Sequence, residues 1–455
     1  MTATMRLFTI EARRSVALWF FPLMALVACW YADSRMSPIG VSLWRHNSAQ
    51  IGETLILLAP LMGGVAAWAA GRDRRRGVSD LLATTPLPAA RRQLSGWGGT
   101  LVWGIAAYLV AGAFIVMVTL RANAWGTPSL APVIIGLLTI VAASAIGYLV
   151  GSLIPSRLAP PLVPVALFLS IGLLNSGWFH DDSVTLLSPW TLIDRQLFQN
   201  PEAVFYEPAP LHPLPMSLWL VGLTGLALAG VVLARRRGVA VWSGLACSAV
   251  VAATGAALLL NAYDDVFQFG VPWERAELVP YTPVCVERSI PVCAHPAFES
   301  LLDEQADRID LLIEPLRWLP GAPARAEQLP YASGMYADGT LTIDPISSGV
   351  EMAALALVQA PVEPGPGWNL QMHVQPEQAV IARWLARRVD AASFEQWDIM
   401  LHDPVSGGTI RDPIQNEIDA AAARFSALDS DTQRRWLEEN YVNLREGLLS
   451  LEDLP

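Results

Sequence analysis

At 455 residues, with 53% of side chains hydrophobic and 16% charged, the chain is too apolar for a disordered or fibrous protein. Its net charge of −11 is split: residues 262–455 hold 31 acidic and 13 Arg side chains, net −18, and the rest is net +7. A domain at −18 has no electrostatic route to nucleic acid, whose binding depends on cations neutralising phosphates.

The chain opens with Met5, Leu7, Phe8 and Ile10 set among Arg6, Glu11, Arg13 and Arg14, a mixture that suits an amphipathic helix over residues 1–15 lying in a membrane interface. Seven apolar stretches follow, at Val16–Tyr31, Ile51–Ala70, Leu101–Leu120, Val133–Ile154, Pro160–Trp178, Leu218–Leu233 and Val239–Leu260. Each is about the length a hydrocarbon core of about 30 Å requires. The first has no small-residue cleavage site after it, so it is expected to be a span and not a signal peptide.

Orientation follows from arginine, because positive charge is retained on the cytoplasmic side in short loops. All 30 basic residues are Arg. With the N-terminus inside, 13 of them fall in inner segments (Arg6, Arg13 and Arg14; Arg72, Arg74, Arg75, Arg76, Arg91 and Arg92; Arg157; Arg235, Arg236 and Arg237), against Arg35, Arg45, Arg121 and Arg195 outside. Seven crossings then put the C-terminal domain outside the cytoplasmic membrane. Within the spans, Glu53 near the outer end of the second is the one acidic residue close to hydrocarbon. Such a residue is a functional candidate by default, with hydration at the interface as the ordinary alternative.

Between the second and third spans lies a cytoplasmic loop over residues 71–98. In it Ser79 can cap a short helix carrying Asp80, Leu81 and Leu82, stopped by Pro86 and Pro88. A helix this short does not persist alone in water, so it needs a surface to dock on. The outer loop Phe179–Pro215 contains Thr185–Asp194, apolar enough to dip into the interface with Trp190 as anchor. No G-x-x-x-x-G-K-[ST] phosphate loop occurs anywhere, so the chain does not bind ATP in that manner.

The run RRRGVSDLLATTPLPAARRQL and the order of parts resemble the permease subunits of type-2 ABC transporters: interfacial helix, two spans, loop, three spans, long outer loop, sixth span. The resemblance covers residues 1–237. It implies that Ser79, Asp80, Leu81 and Leu82 form a coupling helix docking into a separately encoded ABC ATPase. ATP would be held by that partner and no cofactor by this chain. It also implies a second permease copy, a homo- or heterodimer embedded in membrane lipid, and export as the direction; the cargo is not identified. A seventh span over residues 238–261 and an acidic domain over residues 262–455 depart from the six-span pattern.

In the outer domain Cys285 and Cys293, flanked by Pro283 and Pro291, are expected to form a disulfide closing a short hairpin or loop. The competing reading, a metal site with His295, lacks a fourth donor. Cys29 and Cys247 fall inside spans as small packed hydrophobes. Beyond them the spacing predicts a helix over Phe298–Leu316, a turn at Asp338–Gly339, a strand at Thr340–Ile343, and helices at Val350–Gln359, Glu377–Leu401, Pro413–Leu428 and Asp431–Leu449. Asp412 with Gln415, and Ser430 with Gln433, have capping-box spacing.

A strand, a helix and a further helix bearing Glu377 resemble the core of gluzincin metallopeptidases, whose zinc helix reads H-E-x-x-H. Only Glu351 matches that motif; Val350 and Ala354 stand where both imidazoles belong. The resemblance therefore implies a peptidase-like scaffold without metal or catalysis. His295, His373 and His402 are scattered and join no catalytic set.

The expected fold is mainly α: a polytopic helical membrane bundle followed by a mostly helical α+β extracytoplasmic domain. Two functions compete: a transport permease, and a membrane-anchored binding or sensing protein whose outer domain is the working part. Seven spans are more than an anchor needs, which favours transport.

Overall fold

The structure is a computed structural model that describes residues 3–35, 41–77, 88–154, 156–175, 182–190, 204–205, 213–234, 238–261, 279–329, 338–343, 349–360, 374–389 and 413–455. It divides into two compact units, one formed by most of residues 1–276 and one by residues 277–455 together with 39–41 and 204–207.

Among the described residues the regular elements of the first unit are helices: α1 (Ala3–Arg14), α2 (Ala17–Arg35), α3 (Trp44–Glu53), α4 (Leu55–Ala70), the single turn α5 (Arg72–Arg75), α6 (Ala89–Arg121), α7 (Ala131–Leu153), α8 (Ala159–Asn175), α9 (Pro213–Leu233) and α10 (Val239–Asn261). Six segments are long and apolar enough to cross a bilayer, with α3 and α4 counting as one of 27 residues, which is the make-up of a multi-pass membrane protein. The expected fifth span appears as α8, a shorter apolar helix of 17 residues. The second span starts earlier than Ile51 because the polar stretch from Trp44 is also helical, and α6 starts earlier than Leu101 for the same reason.

Between apolar helices in lipid, association relies on close packing, so small residues mark the contacts. On α7, Gly147 lies against the backbone of Gly63 and, one turn on, Gly151 against that of Ala67. A Cβ at either glycine would collide with the α4 main chain. Helices α9 and α10 meet in the same way, with Gly222 of α9 on Ala252 of α10 and Gly255 of α10 on Trp219 of α9. The N-terminal helix α1 packs on α6, where Gly98 and Gly99 admit Phe8 and the backbone at Glu11 and Ala12. The Trp103 indole donates to the Ala12 carbonyl at 2.8 Å.

The second unit holds a four-stranded sheet, β1 (Val284–Glu287), β2 (Pro291–Ala294), β3 (Arg325–Glu327) and β4 (Thr340–Thr342), in that order. β1 and β2 are antiparallel, and the other two pairings are parallel. Helices α11 (Glu299–Ile313), α12 (Gly349–Val358), α13 (Pro376–Val389), α14 (Pro413–Ala427) and α15 (Ser430–Arg445) complete it. Cys285 and Cys293 are directly opposed on β1 and β2 and are joined by the expected disulfide. The hairpin is also pinned to α11: Arg288 reaches Asp307 at 2.7 Å and Asp303 at 3.2 Å, and the Ser289 amide donates to Asp310. The turn before β4 uses Asp338, whose carboxylate accepts from the Thr340 amide, and Gly339 at φ +83.

One cap differs from expectation. Helix α15 is capped by Asp429, not Ser430: its carboxylate accepts from the Thr432 amide and hydroxyl, and those bonds hold it below the usual carboxylate range. A carboxylate is the stronger acceptor at a helix N-terminus. Gln433 instead donates to the Phe425 carbonyl. Residue 412 lies outside the described residues, and α14 begins with Pro413 in the first turn.

Phe205 belongs to this second unit, 0% exposed. It packs edge-on to Tyr281 and to His295, and its carbonyl accepts from the Val279 amide at 2.8 Å. His295 is 1% exposed, with Nδ1 accepting from the Ala297 amide, and burial pushes its pKa from 6.5 down to about 4.

Three outcomes test this description. Gly147→Leu should stop the chain accumulating as a monodisperse species in detergent, whereas leucine at Gly172, which has open space around it, should not. Cys285→Ser with Cys293→Ser should cost the second unit about 2 to 3 kcal/mol in denaturant unfolding while leaving far-UV helicity intact. Between pH 6.5 and about 4 the unfolded chain protonates His295 and the folded unit does not. The contribution of this group is therefore intact above pH 6.5 and is lost as pH falls through that window, by up to about 1.4 kcal/mol per pH unit. His295→Phe should flatten that part of the profile.

Candidate functional site

Helix α3 is the least ordinary segment of the first unit, because every residue from His46 to Glu53 is buried and most are polar. Its entry is fixed by backbone bonds to the turn after α6: the Trp44 amide donates to the Trp125 carbonyl and the Trp125 amide to that of Ser42, each at 3.0 Å. The turn is shaped by Asn123 at φ 48 and Gly126 at φ +91. From there the helix runs through Thr54, whose hydroxyl donates to the Ile51 carbonyl, into α4.

Helical spacing places His46, Gln50 and Glu53 on one stripe, since residues four and three apart are neighbours. The Gln50 amide nitrogen lies 3.2 Å from His46 Nε2, so the amide donates and the ring accepts. Gln50 Oε1 is buried with no hydrogen-bond partner among the described residues. Glu53, expected at the interface and hydrated, is 1% exposed, because the helix that carries it is enclosed by α4, α6 and α7 where a loop would have left it in water. Asn47 and Ser48 point elsewhere: the Asn47 amide donates to Ser42 and Thr119, and Ser48 donates to the Trp44 carbonyl and accepts from the Ser129 amide. Burying polar groups in a bundle is costly, and ionisable ones on an inner helix face are what membrane proteins use to line ion and substrate routes.

The opposite end of the second span is a polar joint. Arg72 pairs with Glu11 of α1 at 2.8 Å and with Asp73 at 3.5 Å. Arg74 donates to the Ser152 carbonyl of α7, and Arg75 donates to the Trp68 carbonyl while lying over its ring. Beside them Tyr148 donates to Gln93, and Ser15 and Thr100 share a hydrogen bond. Ser79, Asp80, Leu81 and Leu82 lie outside the described residues, directly beyond this joint.

In the second unit the strand, helix, helix order is present as β4, α12 and α13, with Glu377 in the first turn of α13. Glu377 is buried, and burial pushes its carboxyl above the usual range. Val350 and Ala354 are packed in the core. Arg383 on the same helix, 2% exposed, pairs with Asp419 of α14. Among the described residues no group of three or more His, Cys, Asp and Glu side chains is placed to hold a metal ion.

His46 and Gln50 are not evident in the sequence while the second span is started at Ile51; continuing the helical period seven residues back from Glu53 brings them onto its face. Compared with protein families, with curated proteins and with solved structures, the chain has no match in any of the three.

Proposed function

We propose that this chain is the permease subunit of an ATP-driven exporter. It works with a separately encoded ATPase and a second permease copy, with its N-terminus in the cytoplasm and its C-terminal domain outside the cytoplasmic membrane. The observation that carries the reading is the joint at the end of α4. Arg72, Arg74 and Arg75 tie the segment that leads into residues 78–87 to α1, α7 and α4. A partner docking on that loop would therefore act on a braced lever and not on a slack connection. The buried stripe of His46, Gln50 and Glu53 on the same span supplies a polar surface at its other end. Phe205, from the connection between α8 and α9, shares a core with Tyr281 and His295. This supports one side of the membrane for that connection and the C-terminal domain, as two intervening spans require.

Affinity purification of the full chain from its own cells should recover a P-loop ATPase. Leu81→Asp with Leu82→Asp should release it while the chain stays inserted. Glu11→Gln, which removes the ion pair with Arg72, should keep the ATPase bound and lower its permease-stimulated turnover several-fold. Recovery of the chain with no P-loop protein would sink the reading. In a background with Cys29 and Cys247 replaced by serine, a cysteine at Glu446 should react with an impermeant thiol reagent in intact cells, and one at Ser79 should not. The reverse pattern would invert the topology.

A further inference from the structure

The start of α3, the C-terminal half of α6 and the start of α7 enclose a hollow of about 220 Å³. Ile51, Gly112, Ile115 and Val133 line it, and Leu109 and Leu130 stand at its edge, 59% and 69% exposed. Space beside Gly112 is open, since an added Cβ would come no nearer than 3.6 Å to Ile51, an ordinary contact that a longer side chain would extend into the hollow.

Polar side chains also line it, and four of them have their donors committed within the protein. The Asn47 amide donates to Ser42 and Thr119, Ser48 to the Trp44 carbonyl, Thr119 to the Ile115 carbonyl and Tyr108 to the Val133 carbonyl. The hollow thus offers contact to hydrocarbon and little hydrogen bonding, and it exceeds the about 150 Å³ in which an apolar cavity holds a benzene ring. Gly112 is nine residues before the end of α6 at Arg121, roughly 14 Å along the axis; with Arg121 at the interface, the hollow falls within a single leaflet about 15 Å deep. In that leaflet its exposed leucine edge is bathed in acyl chains.

We propose that this hollow is a lipid site that seats one acyl chain of a membrane phospholipid between α3, α6 and α7. The proposal rests on the membrane reading and not on transport. It also gives α3 a second role, because Asn47 and Ser48 shape the wall while His46, Gln50 and Glu53 belong to the other stripe.

The test uses the full chain in phosphatidylcholine liposomes containing a phospholipid with a diazirine near the terminal methyl of one acyl chain, with cross-links mapped by mass spectrometry. Peptides holding Ile51 and Gly112 should label at least three-fold above the exposed α8 face at Leu162 and Leu169, which reports ordinary lipid contact. Gly112→Leu, which fills the hollow, should cut the first signal at least five-fold and leave α8 unchanged, and Leu109→Ala should retain it. Labelling no higher than α8, or labelling that survives Gly112→Leu, would overturn the site. If that variant aggregates, the wild-type ratio of hollow to α8 decides alone. Absence of label on α8 as well would overturn the membrane reading on which the site depends.

Discussion

The close approach of α4 and α7 is the constraint on which the first unit depends. With no Cβ at Gly147 and Gly151, the two backbones touch at Gly63 and Ala67, and in lipid such contact replaces the hydrophobic drive that would assemble the same helices in water. It makes the second span the most enclosed of the six. Both polar features of the unit sit on that span: the buried stripe of α3 at one end and the arginine joint at the other. A rigid connection between them follows from the packing. Only Pro60 interrupts the amide ladder of α4.

The second unit obeys different physics. Its acidic side chains lie on the outside of helices such as α11, where Asp303, Asp307 and Asp310 face away from Leu302, Ile309 and Ile313. Helix α13 is enclosed, with all residues from Glu377 to Ala386 buried. A guanidinium and a carboxyl in such a helix demand partners: Arg383 has Asp419, and Glu377 meets burial by a raised pKa. These are the needs of a stable core, to which Val350 and Ala354 also contribute.

Apolar runs make the helical first unit legible in the sequence, and the Cys285–Cys293 pair and most helices of the second unit are legible there as well. What the sequence concealed has local causes. Hydropathy ends the second span at Ile51 because His46, Asn47 and Gln50 look like loop, and only tertiary enclosure makes them helical and buried. The cap of α15 shifted by one residue because Asp429, Ser430 and Asp431 all qualify by type and only backbone direction chooses. Phe205 carried no signal at all, since nothing in a loop sequence says that one aromatic residue will enter a core built from residues seventy and more positions later.

That last feature governs how the protein is made. Phe205 leaves the ribosome well before Val279, Tyr281 and His295, so its place in the core stays vacant until α9, α10 and the chain beyond them have been made. The core of the second unit closes only when both segments come together. Without that meeting Phe205 is left stranded and the aromatic cluster open. A single side chain thus makes closure of this core wait on the synthesis of the two helices that separate its parts.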